Sequence, residues 1–266
     1  MSRLGPCFDT LRAENRRAVI PYLVAGDPDE ALTVPLMHSL VEAGADIIEV
    51  GVPFSDPMSE GPTIQKGHER ALKGGTSLLS TLSLVKQFRE TNTETPLVLM
   101  GYANPLERKG YTAVADACAE AGIDGLITVD LPPEENALLE NHHKKNKIDI
   151  IRLITPTTDS KRLKIILKNA SGFLYYVSIM GITGTKKPSL KKVSNAVSLI
   201  KKNTKIPIVV GFGINNKSQI KEISRFADGA VVGSSLVKII EDSNKNKIIE
   251  NLEKFIKILE SSCYTN

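Results

Sequence analysis

The chain has 266 residues, of which 41% are hydrophobic and 24% are charged, and its formal net charge at pH 7 is +4. This balance is typical of a globular chain with a sizeable core and unlike that of disordered or fibrous sequences. No stretch approaches the roughly 18 uninterrupted apolar residues of a membrane-spanning helix, and the charged N-terminal segment lacks the apolar region of a secretion signal. We therefore expect a cytoplasmic protein that does not bind a membrane.

Charge is unevenly distributed along the chain. Residues 1–133 carry 11 basic and 18 acidic side chains, whereas residues 134–266 carry 23 basic and 12 acidic ones. A basic half is compatible with nucleic-acid binding, but these lysines are spread over predicted helices without interleaved aromatic residues. A solvated lysine-rich surface is the better interpretation, and we expect no nucleic-acid partner.

The cysteines and histidines bear on disulfide and metal chemistry. Cys7, Cys118 and Cys263 are odd in number, far apart in the sequence and without a CxxC pair, which indicates reduced thiols. The four histidines also lack the spacing of metal ligands. We expect neither a disulfide nor a bound metal ion.

Eight short apolar runs have the composition of β-strands, and each is followed by turn-forming residues. In chain order they are 19–24, 47–52, 97–100, 125–129, 148–154, 173–179, 206–210 and 229–232. Most of the turns lead into a stretch with helical periodicity, such as 30–43 or 111–121. An extra helix is predicted before the first strand, at 6–15, and further helix within the long crossover 63–90. Such regular alternation implies parallel strands.

Three of these units share a weak sequence repeat. The segments AGADIIEVG, AGIDGLITVD and FADGAVVGS each place an aspartate, namely Asp46, Asp124 or Asp228, after a helix end and before an apolar strand. Eight units in about 250 residues match a closed (β/α)8 barrel, also called a TIM barrel. An open doubly wound sheet is disfavoured, because the first turn, AGDPD, lacks the GxGxxG fingerprint. We predict an α/β protein with one domain, 1–266, formed by a (β/α)8 barrel with an extra N-terminal helix.

Two carboxylates lie near the carboxyl end of the second predicted strand, where barrel enzymes hold their chemistry. Glu49 interrupts the apolar run of that strand, and Glu60 lies in the loop that follows. Burial of Glu49 is costly unless it is paired, protonated or used, so its pKa should be raised toward neutrality, as a general acid or base requires. Separately, Glu49 could form a structural ion pair and Glu60 could be a surface acid. Their joint placement favours catalysis.

Glycine-rich turns follow the last predicted strands. Gly211-Phe212-Gly213 and Gly233-Ser234-Ser235 would let backbone N–H groups approach an anion, and a helix that starts near Ser234 would direct its positive end to the same place. Thr183-Gly184-Thr185 could close over the anion as a flap. Tight-turn geometry alone explains any one of these glycines. Together the turns favour a phosphate-bearing small-molecule substrate.

The segment 49–61, EVGVPFSDPMSEG, strongly resembles the signature of the tryptophan synthase alpha subunit family. The similarity extends along nearly the whole chain, through VAGDP at 24–28, YANP at 102–105, DLP at 130–132, GITG at 181–184, GFG at 211–213 and GS at 233–234. It implies cleavage of indole-3-glycerol phosphate to indole and glyceraldehyde 3-phosphate, a lyase reaction of L-tryptophan biosynthesis. It also implies an alpha2beta2 heterotetramer whose beta subunit uses pyridoxal phosphate to join indole to serine. This chain itself would need no cofactor.

The resemblance further implies roles for individual residues. Glu49 would protonate the indole carbon that leaves and then accept the proton of the adjacent glycerol hydroxyl, while Glu60 accepts a hydrogen bond or proton from the indole N–H. Tyr175 would support the site. Substrate-binding positions, in the indole pocket or around the phosphate, would be Tyr22, Met100, Tyr102, Val129, Ile154, Phe212, Thr183, Gly184, Gly213, Gly233 and Ser234. Core packing is the competing explanation for the pocket residues, most of all for Val129 and Ile154.

At four positions the sequence differs from the commoner family pattern. Glu60 occupies a place that is more often Asp, Tyr22 one more often Phe, Met100 one more often Leu and Val129 one more often Ala. The first difference matters most, because a displacement of roughly 1 Å can reduce a rate on the order of 10²-fold unless the loop compensates. The Tyr22 hydroxyl would need a partner or a water molecule when the site closes. We expect an adjusted site and an active enzyme.

Contacts with the beta subunit implied by the resemblance would use the same face of the barrel. They would involve Pro53, Asp56, Pro57, Asn104 and Pro132, with Asp56 available for a lysine of the partner. Ordinary turn chemistry explains the prolines equally well. Loop ordering could couple the two active sites.

Three other functions compete with this interpretation. They are a stand-alone lyase that releases free indole, a non-catalytic barrel that only activates a beta subunit, and a different sugar-phosphate barrel such as an isomerase. The presence of both Glu49 and Glu60 argues against the non-catalytic barrel. Co-purification with a beta subunit would separate the stand-alone lyase from the family's usual assembly.

Overall fold

The structure is a computed structural model that describes residues 2–135, 145–178, 189–211 and 213–264. Within these residues nine β-strands form one sheet in which every pairing of neighbours is parallel. The strands are β1 (Ala18–Val24), β2 (Ile48–Gly51), β3 (Leu97–Gly101), β4 (Gly125–Thr128), β5 (Asp149–Ile150), β6 (Arg152–Ile154), β7 (Leu174–Val177), β8 (Ile208–Gly211) and β9 (Gly229–Val232). Each lies within one of the eight predicted runs or extends it by one residue.

The sheet returns on itself as a barrel. β1 pairs with both β2 and β9, and the neighbours continue in chain order to β5 on one side and to β6 on the other. Only Ile151 separates β5 from β6, so these two strands are consecutive parts of one extended segment. The Ile151 N–H donates to the Leu126 carbonyl at 3.0 Å and continues the contact with β4 across the interruption. The predicted (β/α)8 barrel is confirmed.

The described residues contain eleven α-helices, several of which cover the outside of the sheet. They are α1 (Leu4–Ala13), α2 (Glu30–Glu42), α3 (Pro62–Lys73), α4 (Leu78–Arg89), α5 (Ala103–Lys109), α6 (Tyr111–Ala121), α7 (Ser160–Leu167), α8 (Leu190–Lys201), α9 (Lys217–Ile223), α10 (Ser234–Asp242) and α11 (Ile248–Glu260). The long second crossover thus holds two helices, α3 and α4. Its predicted extra helix is confirmed, and the helix predicted at 6–15 is α1.

Helix α1 closes the end of the barrel at which the strands begin. Leu4, Phe8 and Leu11, spaced to share one helix face, are buried in the same apolar cluster as the barrel interior. The Phe8 ring meets the ring of Phe173, just before β7, edge-on at 5.9 Å between centroids. These contacts exclude water from the amino-terminal end, so the open end of the barrel is the one at which the strands finish.

Strand residues alternate between the barrel interior and the outer layer. On β1, Ile20, Tyr22 and Val24 belong to the interior cluster, whereas Val19 and Leu23 belong to the larger cluster between sheet and helices. The interior is therefore a packed core through most of its length.

The aspartates of the three sequence repeats share one structural role. The Asp46 carboxylate accepts a hydrogen bond from the Val19 N–H at 2.9 Å, and the Asp46 N–H donates to the Val19 carbonyl at 3.0 Å. Asp124 and Asp228 make the same reciprocal pair with the first residues of β3 and β8. Each carboxylate also binds a basic side chain. The repeats therefore fix strand beginnings, at the end of the barrel opposite the candidate site.

Three further observations concern the described ranges only. No helix there has the length and apolarity needed to cross a membrane. No three side chains of the His, Cys, Asp and Glu types lie together there as a possible metal site. The sulfur atoms of Cys7, Cys118 and Cys263 form no disulfide.

Candidate active site

Glu49 projects into the barrel near the carboxyl end of β2. Its neighbours Ile48 and Val50 face the outer layer, so Glu49 faces inward, beside Tyr22 of β1 in the strand register. It is 1% exposed, and neither carboxyl oxygen has a hydrogen-bond partner among the described residues. Burial and, to a smaller extent, the charge of Glu60 together raise the pKa of Glu49 to about 8. Within the described part of the chain, the alternative of a structural ion pair finds no support.

Glu60, in the loop between β2 and α3, is buried as well. It is 7% exposed, its Oε1 has no hydrogen-bond partner in the described ranges, and burial raises its pKa to about 7. The Glu60 N–H donates to the Pro57 carbonyl at 2.9 Å, and the Glu60 carbonyl accepts from the Gln65 amide at 3.0 Å. The alternative of a surface acid at Glu60 is wrong, because the loop folds back over the end of the barrel.

The two carboxyl groups can divide proton transfer between them. Glu49 has the higher pKa, so it keeps its proton at a pH where Glu60 has begun to lose its own. A protonated carboxyl and a carboxylate in one enclosure form an acid and a base at nearly neutral pH. The expectation that Glu49 has a raised pKa agrees with this geometry.

Three tyrosine side chains face the carboxyl groups. Burial raises the pKa of each hydroxyl, and the nearby carboxylate charges raise it further. The charge of Glu60 acts more strongly than that of Glu49 on Tyr22, while the order is reversed for Tyr175. The charge of Glu60 also raises the pKa of Tyr102. The structure thus brings together all three tyrosines that the sequence predicted for the site.

Tyr102 connects the site to the loop that carries Glu60. Its hydroxyl oxygen accepts a hydrogen bond from the backbone N–H of Ser59 at 3.3 Å. Its ring stacks on that of Phe54, with 5.1 Å between centroids and 28° between planes. These two contacts hold the loop on both sides of its most exposed part, where Met58 is 67% exposed.

Two glycines at strand ends leave room for tyrosine rings. A Cβ added at Gly51 would lie 2.3 Å from the hydroxyl oxygen of Tyr22, and one added at Gly211 would lie 2.5 Å from that of Tyr175. Side-chain carbons do not approach oxygen atoms so closely, so each strand end needs a residue without a side chain. The Tyr175 contact also shows that Gly211 serves packing as well as a turn.

The residues predicted for the apolar wall lie on two different sides of the sheet. Met100, Val129 and Tyr175 are partly buried against the interior cluster. Ile154 belongs to the outer cluster, so its assignment to the pocket is wrong; its neighbour Leu153 packs against the interior instead. The two-residue period of the strand explains this result, and a strict count of inward positions from Ile151 would have found Leu153.

His68 is a second residue of the site that the sequence did not single out. It is 2% exposed on α3, and burial lowers its pKa to about 4. Its ring joins the loop at Phe54 to the hydroxyl of Tyr22, through contacts of 3.1 Å and 3.3 Å. A polar residue on the inner face of an amphipathic helix is the only sequence signal for it, and that signal is weak.

The turns after β8 and β9 lie against each other. Gly213 has a φ of +62°, which favours glycine, and the Ser235 hydroxyl donates to the carbonyl of Ile214 at 2.6 Å. Helix α10 begins at Ser234, directly after Gly233, which has no side chain to cap the first turn; the Leu236 N–H donates to the Gly233 carbonyl at 2.9 Å. The predicted contacts at Thr183, Gly184 and Phe212 lie outside the described residues.

The residues predicted to contact a partner differ in exposure. Asp56 and Asn104 are exposed on the loops at the open end, and Pro132 is partly exposed. Pro53 and Pro57 are buried in the isolated chain, and their contact with a partner stays a prediction. Because proline fixes its own φ, these two residues shape the loop that carries Asp56.

The fold and this site define a (β/α)8-barrel enzyme with two buried carboxyl groups at its open end. The family model described as tryptophan synthase alpha chain matches residues 8–263. The tryptophan synthase alpha chain of Cupriavidus pinatubonensis is 48% identical over 256 residues, which are 96% of this chain and 97% of that one. The chain belongs to the tryptophan synthase alpha chain family, whose reaction is the lyase cleavage of indole-3-glycerol phosphate in tryptophan biosynthesis.

Two further similarities agree with that assignment. The tryptophan synthase alpha chain of Nitrosococcus oceani is 50% identical over 250 residues, which cover 94% of this chain and 92% of that one. The crystal structure of tryptophan synthase subunit alpha from Legionella pneumophila matches with a TM-score of 0.91 at 38% identity. That match covers 99% of this chain and 98% of the Legionella chain. The similarity is therefore spread over the whole barrel.

Proposed function

We propose that this chain cleaves indole-3-glycerol phosphate to indole and glyceraldehyde 3-phosphate at the site formed by Glu49 and Glu60. The observation that carries the proposal is the position of Glu49, which is buried, turned into the barrel and raised in pKa to about 8. A carboxyl group in that state is a proton donor at neutral pH. The apolar side chains of Met100, Val129 and Leu153, which pack against the barrel interior, suit an indole ring.

Glu49 first donates a proton and later accepts one, so it ends the reaction in its starting form. In its acid form Glu49 donates a proton to the ring carbon that carries the glycerol chain, and the ring becomes an electron sink. The electrons of the carbon–carbon bond then move into the ring as the bond breaks. The hydroxyl next to that bond loses its proton to the Glu49 carboxylate and becomes the aldehyde of the product. Glu49 thus regains the proton that it gave, and no cofactor enters the reaction.

Glu60 supplies a negative charge for the indole nitrogen. Protonation of the ring carbon places positive charge on the indole nitrogen, and a carboxylate at Glu60 would accept a hydrogen bond from the N–H group. Such an interaction is stronger in the transition state than in the ground state, so it raises the rate. Glu60 has a pKa of about 7, lower than that of Glu49, which suits it to the role of the ionised partner.

The phosphate of the substrate would bind where the turns after β8 and β9 meet. The first turn of α10, which no side chain caps, offers backbone N–H groups at the positive end of a nine-residue helix. Gly213, Gly233 and Ser234 are the described residues of this part of the proposal. Thr183 and Gly184 are assigned to the flap over the phosphate, and Phe212 to the indole pocket, on the resemblance alone.

The same proposal assigns a beta subunit as the partner, because relatives are alpha chains of tryptophan synthase. The exposed Asp56, Met58 and Asn104 form the face offered to it, and the expected assembly is an alpha2beta2 heterotetramer. Pyridoxal phosphate belongs to the beta subunit. Residues 1–266 are assigned to one domain, and a cytoplasmic location follows from the place of the reaction in amino-acid biosynthesis.

The test is an assay of the purified chain with indole-3-glycerol phosphate, with and without a beta subunit. Glyceraldehyde 3-phosphate is followed by a coupled dehydrogenase, and Glu49→Gln is compared with Glu250→Gln, a matched change on the exposed face of α11. Product that rises with the partner, is lost in Glu49→Gln and is kept in Glu250→Gln supports the proposal.

The other outcomes separate the competing functions. High activity that the beta subunit does not change indicates a stand-alone lyase. Absence of product together with activation of the beta subunit indicates a non-catalytic barrel. Absence of both effects contradicts the proposal and leaves another sugar phosphate as the substrate.

A further inference from the structure

His68 is a buried polar side chain that the proposed chemistry does not use. Its Nδ1 atom is 3.1 Å from the backbone nitrogen of Phe54, in the loop between β2 and α3. Its Nε2 atom is 3.3 Å from the hydroxyl oxygen of Tyr22, on β1. Both ring nitrogens are satisfied, as in many structural histidines, and the direction of the second bond decides how the Tyr22 hydroxyl is oriented.

That direction follows from the first bond. The Phe54 N–H can only donate, so Nδ1 of His68 accepts and carries no hydrogen. Burial lowers the pKa of His68 to about 4, which keeps the ring neutral at pH 7. A neutral ring without hydrogen on Nδ1 carries it on Nε2. The Nε2–H therefore donates to the oxygen of Tyr22, and the hydrogen of the Tyr22 hydroxyl is left for another acceptor.

The surroundings of Tyr22 limit what that acceptor is. Its ring lies between Gly51 and Gly233, at either of which a Cβ would come within 3.3 Å of ring atoms. The titratable groups that face its hydroxyl are Glu60, Glu49, Tyr102, Tyr175 and His68. When ionised, the carboxylates among these only accept hydrogen bonds. Oε1 of Glu60 and both carboxyl oxygens of Glu49 are buried without a partner in the described ranges, and Glu60, which has the lower pKa, is the carboxyl that ionises first.

We propose that His68 is a positioning residue that orients the Tyr22 hydroxyl as a hydrogen-bond donor to the Glu60 carboxylate. The described contacts include no hydrogen bond between Tyr22 and Glu60. The bond forms when Glu60 loses its proton, because a buried carboxylate ion is costly without a donor. The inference rests on the proposed function in one respect, the role of ionised Glu60 as acceptor for the indole N–H. In this proposal the Glu60 carboxylate and the Tyr22 hydroxyl, two of the differences from the commoner family pattern, act together as acceptor and donor of one hydrogen bond.

The first test follows the ionisation of Glu60 without any turnover. Chain labelled with ¹³C at the glutamate side-chain carboxyl is titrated by NMR, and the signals are assigned from their loss in Glu60→Gln and Glu49→Gln. Removal of the donor in Tyr22→Phe should raise the midpoint of Glu60 by about one pH unit, the size expected for one hydrogen bond to a charged group. An unchanged Glu60 midpoint, or a larger rise at Glu49, would overturn the proposal.

Two substitutions at position 68 separate positioning from packing. Gln places an amide nitrogen near the Nε2 position and can still donate to Tyr22, whereas Asn places its amide near Nδ1 and cannot reach Tyr22. His68→Asn should therefore raise the Glu60 midpoint as Tyr22→Phe does, and His68→Gln should leave it near the wild-type value. In the Tyr22→Phe background, His68→Asn should add no further shift. Equal effects of Asn and Gln, at equal thermal stability, would show that His68 is structural only.

Kinetics supply an independent readout. With indole-3-glycerol phosphate and a beta subunit, the limb of kcat/KM that rises with pH should move up by about one unit in Tyr22→Phe and His68→Asn. It should stay in place in His68→Gln. If the NMR midpoints shift as expected but the wild-type chain forms no product, the positioning role stands and the proposed function fails. If the wild-type chain is active and the midpoints do not move, only the positioning role fails.

Discussion

The hydroxyl oxygen of Tyr22 lies where a side chain at Gly51 would begin, 2.3 Å from the position of an added Cβ. Tyr22 is on β1 and Gly51 ends β2, two residues after Glu49, so the phenol is held against the strand that carries the proposed acid. The ring of Tyr22 fits only because residue 51 has no side chain. A substitution at either position should therefore alter the surroundings of the carboxyl groups.

Gly51→Ala should lower both the thermal midpoint and kcat/KM. The ring of Tyr22 must move to admit the new methyl group, and overpacking of this kind typically costs about 1–3 kcal/mol, or several degrees in Tm. Adding Tyr22→Phe should restore only part of the loss, because ring carbon Cζ would still be 2.7 Å away. Gly5→Ala, where an added Cβ meets nothing within 4 Å, is the control. Unchanged melting and activity in Gly51→Ala would contradict this account.

The pH dependence of activity should be bell-shaped with a narrow maximum between about pH 7 and pH 8. Glu60 acts as a carboxylate, so kcat/KM should rise as the pH passes its pKa of about 7. Glu49 acts as an acid, so kcat/KM should fall as the pH passes its pKa of about 8. Glu49→Gln should reduce kcat on the order of 10²-fold to 10⁴-fold. A profile that is flat from pH 6 to pH 9 would show that neither carboxyl limits the reaction.

Folding stability should show the cost of keeping Glu49 buried. Its pKa is raised from 4.5 to about 8 in the folded chain, so the folded state holds a proton that the unfolded state releases. The stability contribution of Glu49 is full below pH 4.5 and is lost as the pH rises through about 8. Glu49→Gln has no proton to lose and should be more stable than the wild type at pH 8 by about 2–4 kcal/mol.

Urea unfolding of both chains at pH 5 and pH 8 measures this difference. Near pH 5 the folded wild type carries neutral Glu49, and the gap between the two chains should shrink. The free energy of unfolding is independent of substrate, so the result does not depend on the proposed reaction. A gap of the same size at both pH values would mean that Glu49 is not held neutral by the fold.

The alternation of strands and helices carries enough information to predict most of this fold. All eight strand positions and the extra helix α1 follow from apolar runs and turn residues, because those patterns act within a few residues of each other. The repeated aspartates were visible as a pattern only. Their reciprocal bonds to residues such as Val19 join segments far apart in the sequence, and no local pattern encodes that pairing.

The site was less predictable than the barrel, for physical reasons. Glu60 lies in a loop rich in turn residues, and only the packing of that loop over the barrel end makes it buried. His68 is hidden in a helix, and its contacts with Tyr22 and Phe54 depend on three elements that meet in space. A residue whose burial is set by a single strand, such as Glu49, was predictable from sequence.

Leu153 and Ile154 form a matched pair that tests which side of β6 faces the substrate. Leu153→Ala should lower kcat/KM for indole-3-glycerol phosphate mainly through a higher KM, with a small effect on unfolding, because it is only partly buried against the interior cluster. Ile154→Ala should cost about 2–5 kcal/mol of stability, since it removes a fully packed side chain from the outer layer. The folded fraction of that variant should keep the wild-type KM. Urea unfolding and steady-state kinetics of both variants measure the two effects. A rise in KM for Ile154→Ala without loss of stability would reverse the assignment of these two side chains.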